Sequence, residues 1–178
     1  MTVSQFREVT CIRTNLEGLA TARAASVLDE VALHNIEALH ERFSHEISLK
    51  RPDKSRLIEA NKDLHFAVYS QAGMPMLLQM IESLWLRIGP ILNYDLRTES
   101  TRVTKREQAD HHSRLVAALK KKDSAAAAAA LRDDIESAAD YIVSAGVVVT
   151  ADDVPERPGA ALATSSIAKL KTAVRKRA

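Results

Sequence analysis

The sequence predicts an all-α protein of one domain. Apolar residues recur at spacings of three and four along most of the chain, the period of amphipathic helices and not of strands. Five Gly and five Pro in 178 residues leave too few turn formers for the many short hairpins of an all-β fold. Hydrophobic residues at 46% and charged residues at 27% match an ordinary globular chain and exclude wholesale disorder.

Six helices are expected in order. The first covers roughly Val3 to Ala25, with Phe6, Val9, Ile12, Leu16 and Leu19 on one face. Ser26 is a suitable N-cap for the second, placing Asp29 and Glu30 in a first turn that favours acids. It continues through Ile36, Leu39 and Phe43 to about Ile47, before Arg51-Pro52 breaks the pattern. The third begins after Asp53, carries Leu57, Leu64, His65, Val68 and Tyr69, and stops at Gly73. Pro75 opens the fourth from the first helical position. Gly89-Pro90 inside that helix predicts a kink, which lets the helix wrap a cavity.

Ser100 to Thr104 supply caps for the fifth helix, and Thr104 with Glu107 has capping-box spacing. Asp123 and Ser124 cap a sixth that opens with six alanines, Ala125 to Ala130, a strong helix former that also permits close packing. The pattern dissolves after Gly146. Residues 1–146 therefore read as the folded domain and 147–178 as a basic, disordered tail whose last ten residues hold five Lys or Arg and no acid.

The formal net charge of +2 gives no whole-surface attraction to nucleic acid or anionic membrane. No apolar run approaches the roughly 18 residues of a spanning helix. The single Cys11 cannot form an internal disulfide and the start lacks a secretory signal, so a reducing, cytoplasmic setting is expected.

Asn61 and His65 lie four apart on the third helix and project from one face, while Asp63 points elsewhere. His112 leads an apolar stripe with Leu115 and Leu119, so it faces inward. Asp134 lies near the inner stripe of the sixth helix, three after Leu131 and four before Ala138. An inward carboxylate needs a partner, because burying an unpaired charge is costly. Two imidazoles, a carboxylate and an amide oxygen form a mixed nitrogen and oxygen donor set suited to Zn, Ni, Fe or Mn. The alternative is a hydrogen-bonded polar network in the core. Glu37 and His40 show the Glu-x-x-His spacing of di-iron bundles, but the motif occurs once where two are needed. His34, His40 and His45 are accordingly read as a solvated face.

The segments ANKDLHFAVYSQAGMPMLLQMIESLWLRIGP and DHHSRLVAALKKKDSAAAAAALRDDIESA, with the earlier IRTNLEGLA, resemble the effector-binding FCD domain of the FadR subfamily of GntR-type bacterial transcription regulators. The resemblance covers roughly Ile12 to Val143. It implies an antiparallel bundle of six or seven helices around a central cavity that binds a small organic acid, often beside a divalent metal held by an Asp and three His. Asn61 stands at the first ligand position, His65 and His112 match two histidines, and Asp134 stands where the last histidine would be. The effector's carboxylate would bind open metal positions or a guanidinium, which grips it with two parallel hydrogen bonds. Arg87 and Arg13 are the candidates, with a surface salt bridge as the alternative for each. Trp85 and Tyr94 are expected to line the pocket and His111 to stand at its rim.

The same resemblance implies a homodimer that reaches DNA through an N-terminal winged helix-turn-helix, to which nothing in this sequence corresponds. The reading is of a sensor, not an enzyme. The competing readings are a metal-dependent enzyme acting on a small carboxylate and a helical scaffold that senses nothing.

Overall fold

The computed structural model describes residues 1–94 and 107–149. Among these are six helices and no strand: α1 (Val3–Val27), α2 (Glu30–Ser48), α3 (Lys54–Ser70), α4 (Pro75–Leu92), α5 (Glu107–Lys120) and α6 (Ser124–Ser144). They form the antiparallel bundle. The caps expected at Ser100 to Thr104 lie outside the described residues, as does the chain from 150 onward.

Several of the starts have a local cause. Thr2 and Gln5 close a reciprocal capping box on α1, Asp53 accepts from the amides of Ser55 and Arg56, and Asp123 accepts from that of Ala126. The second helix departs from expectation. Ser26 belongs to α1, where its hydroxyl donates to the Arg23 carbonyl at 2.7 Å. Asp29 is the N-cap of α2, its carboxylate accepting from Ala32 N at 2.8 Å. The carboxylate is placed where the helix's orphan amides need an acceptor. Gly73 ends α3 with φ 64°, a left-handed conformation that glycine adopts without steric cost. Pro90 lies in the last turn of α4, which continues past it to Leu92.

The bundle closes on α1 and α6, the most extensive helix pair. Ala20, Ala24 and Ala25 of α1 and Ala127 and Ala130 of α6 are all buried in the main core, with Leu64, Val68, Ile81, Leu115 and Leu131. Small side chains let two backbones approach closely, which is the use the alanine run serves. Ala127→Leu is expected to cost about 1–3 kcal/mol by overpacking this seam, read as a lowered midpoint in urea unfolding with an unchanged slope.

The inward face of α1 corrects the sequence reading. Phe6 and Val9 are buried as expected, but Ile12 and Leu19 are exposed. Thr10, Arg13, Thr14, Glu17 and Thr21 take the inward positions instead. The hydroxyl of Thr10 donates to the Phe6 carbonyl and that of Thr14 to the Thr10 carbonyl, so the helix itself satisfies part of this polar face.

The boundary at residue 146 also moves. Val148 is buried with Phe6 and Ile142. Val3 N donates to the Val149 carbonyl at 2.9 Å, and Val149 N to the Met1 carbonyl at 3.3 Å. Residues 147–149 thus fold back over the start of α1 as part of the domain.

Candidate metal centre

Three helices bring three donor atoms to one point in the core. His65 comes from α3, His112 from α5 and Asp134 from α6. The two Nε2 atoms are 3.2 Å apart, and Oδ2 of Asp134 lies 3.4 Å from that of His65 and 3.6 Å from that of His112. All three side chains are almost wholly removed from solvent, with residue exposures of 2%, 1% and 5%. A tetrahedral cation bonded to nitrogen and oxygen at about 2.0–2.1 Å holds its donors about 3.3–3.4 Å apart. The triangle's edges of 3.2, 3.4 and 3.6 Å bracket that spacing.

The protons can be placed from the outer end of the network. Burial, reinforced by Glu17, raises the Tyr69 hydroxyl well above its ordinary pKa, so it keeps its proton and donates it to Glu17 Oε2 at 2.6 Å. Its oxygen then accepts from Nδ1 of His65 at 2.9 Å. With the proton fixed on Nδ1, Nε2 of His65 presents a lone pair to the centre. Burial lowers the pKa of His112 to about 4, the Asp134 carboxylate opposing the shift in part. That ring is neutral near pH 7. Burial alone would raise Asp134, but the hydrogen bond with His112 and the His65 imidazole beside it outweigh that and hold the carboxyl well below its usual range. An ionised carboxylate facing two imidazole nitrogens is a donor set that fits a borderline divalent cation. The less supported side is His112. Its Nδ1 has no hydrogen-bond partner among the described residues, and Phe43 packs edge-on against the ring at 4.7 Å between centroids.

Glu17 anchors the outer end. It is fully buried and accepts from Arg13 Nε at 2.6 Å, Arg13 Nη2 at 3.3 Å, Tyr69 Oη at 2.6 Å and Trp85 Nε1 at 3.1 Å. Four donors use the capacity of a carboxylate. The Arg13 guanidinium also lies 5.2 Å from the Trp85 ring centroid, a cation–π distance. A chain of contacts thus runs from Arg13 through Glu17 and Tyr69 to His65.

A model of the FCD domain family matches residues 8–137. The chain belongs to the FCD domain family. It is similar to the HTH-type transcriptional regulator McbR of Escherichia coli (strain K12), with 34% identity over 90 residues that make up 51% of this chain and 40% of that protein. The chain therefore spans less than half the length of that curated relative. The solved structure of E. coli McbR/YncC superposes with a TM-score of 0.72 at 29% identity, covering 80% of this chain and 69% of that one.

Within this FCD bundle the expected site residues divide. Asn61, His65, Asp134, Arg13 and Trp85 line one small cavity, beside which His112 stands. The Asn61 oxygen accepts from Nε2 of Gln108 at 2.9 Å, and a carbonyl oxygen with two lone pairs can take that bond and still ligate. Arg13 is no surface salt bridge. It is buried and paired with Glu17, within reach of the cavity. Arg87 is exposed and does not line the cavity. Position 87 falls on the outer side of α4 because Ile81, Trp85 and Ile88 take the inward side. Tyr94 is half-buried, and Asn93, not Tyr94, lines the cavity. Nor does His111 reach the rim: it lies between α5 and α6, with Nε2 3.4 Å from Ser137 Oγ. His40 is not on a solvated face. It is half-buried, 3.2 Å from Ser113 Oγ on α5, and burial lowers its pKa.

The cavity itself is smaller than the expected effector chamber, at about 30 Å³. On this measure a water needs roughly 10–15 Å³, so the space suits an ion with a water or two, and an effector needs further room. Gln108 and Glu17 were not among the expected site residues. Glu17 was legible as the i, i+4 partner of Arg13, and Gln108, one turn before His112, as a residue on the same inward face.

Proposed function

We propose that this chain is the effector-sensing domain of a GntR-type transcription regulator, holding a divalent metal and binding a small organic acid beside it. The single observation that carries the metal is the convergence of His65 Nε2, His112 Nε2 and Asp134 Oδ2 at 3.2–3.6 Å. The regulatory role follows from membership of the FCD family and from likeness to a protein named as an HTH-type transcriptional regulator. DNA would be reached through another domain, in the cytoplasm. Among the described residues no helix is long and apolar enough to cross a membrane.

In this reading His65, His112 and Asp134 would hold the cation, with the Asn61 oxygen as a fourth donor beside them. Zinc or a similar ion bound there would supply a positive charge and, by expanding to five donors, a position for one carboxylate oxygen. Glu17 and Tyr69 fix the His65 tautomer. Gln108 offers Oε1, a buried acceptor with no partner among the described residues. Turnover would need a base beside the donors, and the titratable groups on the described cavity wall are His65 and Asp134, both donors, and Arg13, which is charge-paired. That favours a sensor over an enzyme.

Exposed Ile12 and Leu19 on α1 and Met76 and Met80 on α4 support a homodimer, and α1 and α4 pack against one another. Effector binding would act by favouring one of two packings of the dimer, through its differential affinity for them.

Elemental analysis of the purified protein, with melting recorded before and after chelation, tests the reading. Near-stoichiometric metal is expected. Its removal should lower the melting temperature, since a ligand at about 100 times its dissociation constant adds about 2.7 kcal/mol. Metal-free protein that neither takes up zinc nor responds to chelator would leave the cluster a core polar network.

A further inference from the structure

We propose that the groove between α3 and α4 receives the apolar tail of the effector, which makes the site selective for monocarboxylic acids with an extended apolar body. This rests on the reading of the inner cluster as an acid-binding metal centre. The inner cavity, at about 30 Å³, is about a tenth of the smallest typical small-molecule site. Beside it lies a groove of about 520 Å³, lined among the described residues by Ile58, Phe66, Trp85, Leu86 and Asn93 with Lys62 and Glu82 at polar positions. Trp85 and Asn93 line both spaces. They are the wall between the metal centre and the groove, and α3 and α4, which bound the groove, pack on one another only lightly. An acid whose carboxylate reaches the metal can extend its chain past Trp85 and Asn93 into this groove.

Charge selects the tail. Arg13 is neutralised by Glu17, and Asp134 contributes one negative charge. A divalent cation then leaves the inner cavity one positive charge, which a single carboxylate balances. A second carboxylate at the far end would face Ile58, Phe66, Leu86 and the Glu82 carboxylate. Lys62 is the one cation on the described groove wall, and its ammonium lies 5.8 Å from the Phe66 ring centroid. An uncharged hydrocarbon tail fits these walls better than a second anion.

Trp85 is the single tryptophan of the chain, so its emission reports directly on the dividing wall. The test titrates zinc-loaded full-length protein with acetate, octanoate and suberate, following heat of binding and Trp85 fluorescence. Octanoate should bind at least about tenfold more tightly than acetate or suberate and alone should shift the emission. Leu86→Glu, at a position 83% exposed and therefore harmless to the fold, should bring octanoate close to acetate. Equal affinities for octanoate and acetate, or a preference unchanged by Leu86→Glu, would overturn the groove and leave the metal centre standing. Octanoate binding that is the same with and without zinc would overturn the link between groove and metal. Binding of neither acid to zinc-loaded protein would overturn this inference together with the acid-sensing role.

Discussion

Glu17→Ala is expected to destabilise the fold by about 3–5 kcal/mol, because it strands a buried charge. Arg13 is almost fully enclosed, and its bonds to Glu17 at 2.6 and 3.3 Å are what make its burial tolerable. The substitution also takes the acceptor from Tyr69 and from Trp85. With ordinary stabilities of about 5–15 kcal/mol, that loss is about a fifth or more of the total. The double replacement Arg13→Met with Glu17→Leu separates charge from packing. Exchange of a buried ion pair for apolar groups of similar volume is often close to neutral, so the double variant should recover most of what the single one loses. Urea unfolding of both variants and the parent decides it. A Glu17→Ala loss under about 1 kcal/mol would mean that solvent or another group reaches Arg13 and that the pair does not hold this face of the bundle.

That pair also shows where the sequence was legible and where it was not. Helix starts were plain at Asp53, Pro75 and Asp123, because a capping carboxylate or an N-terminal proline acts locally and needs no knowledge of the rest of the chain. The face of α1 was not. Periodicity placed Ile12 and Leu19 inward with Phe6, whereas the structure buries Arg13 and Glu17 and leaves those two apolar residues outside. A hydrophobic pattern cannot anticipate a buried ion pair, since either residue alone would be expelled and only their joint presence, with Tyr69 and Trp85 as further donors, reverses the preference. Similarly, Ser26 was the expected cap with Asp29 inside the first turn, whereas α1 continues to Val27 and leaves the cap of α2 to Asp29.

The polar cluster divides in the same way. His65, His112 and Asp134 were readable as inward because each sits in a local apolar stripe. Arg87 was attractive for its chemistry, yet its position on α4 relative to Ile81, Trp85 and Ile88 turns it to solvent. The volume beside the cluster depends on how Trp85 is held by Glu17, a contact spanning 68 positions that no local pattern carries.

His65→Ala and His112→Ala should each abolish metal retention while leaving the helical signal in far-UV circular dichroism largely intact. Either change leaves two of the three converging atoms, and a two-donor site loses more affinity than the roughly 10–100-fold that removal of an outer hydrogen-bond partner costs. Tyr69→Phe supplies that milder comparison. It removes the hydroxyl that orients Nδ1 of His65 but no donor atom, so zinc should bind about 10–100-fold more weakly and still bind. Asp134 distinguishes a metal centre from a polar core network most sharply. In a network Asp134→His would place a third imidazole against two others with no carboxylate to accept their protons, and stability should fall. In a metal centre the same substitution replaces an oxygen donor by a nitrogen donor that zinc accepts equally, so retention should persist, whereas Asp134→Ala should weaken it. Unchanged metal stoichiometry in His65→Ala or His112→Ala would place the ion elsewhere. Loss of metal in Asp134→His, beside retention in Asp134→Ala, would show that the third donor is not at position 134.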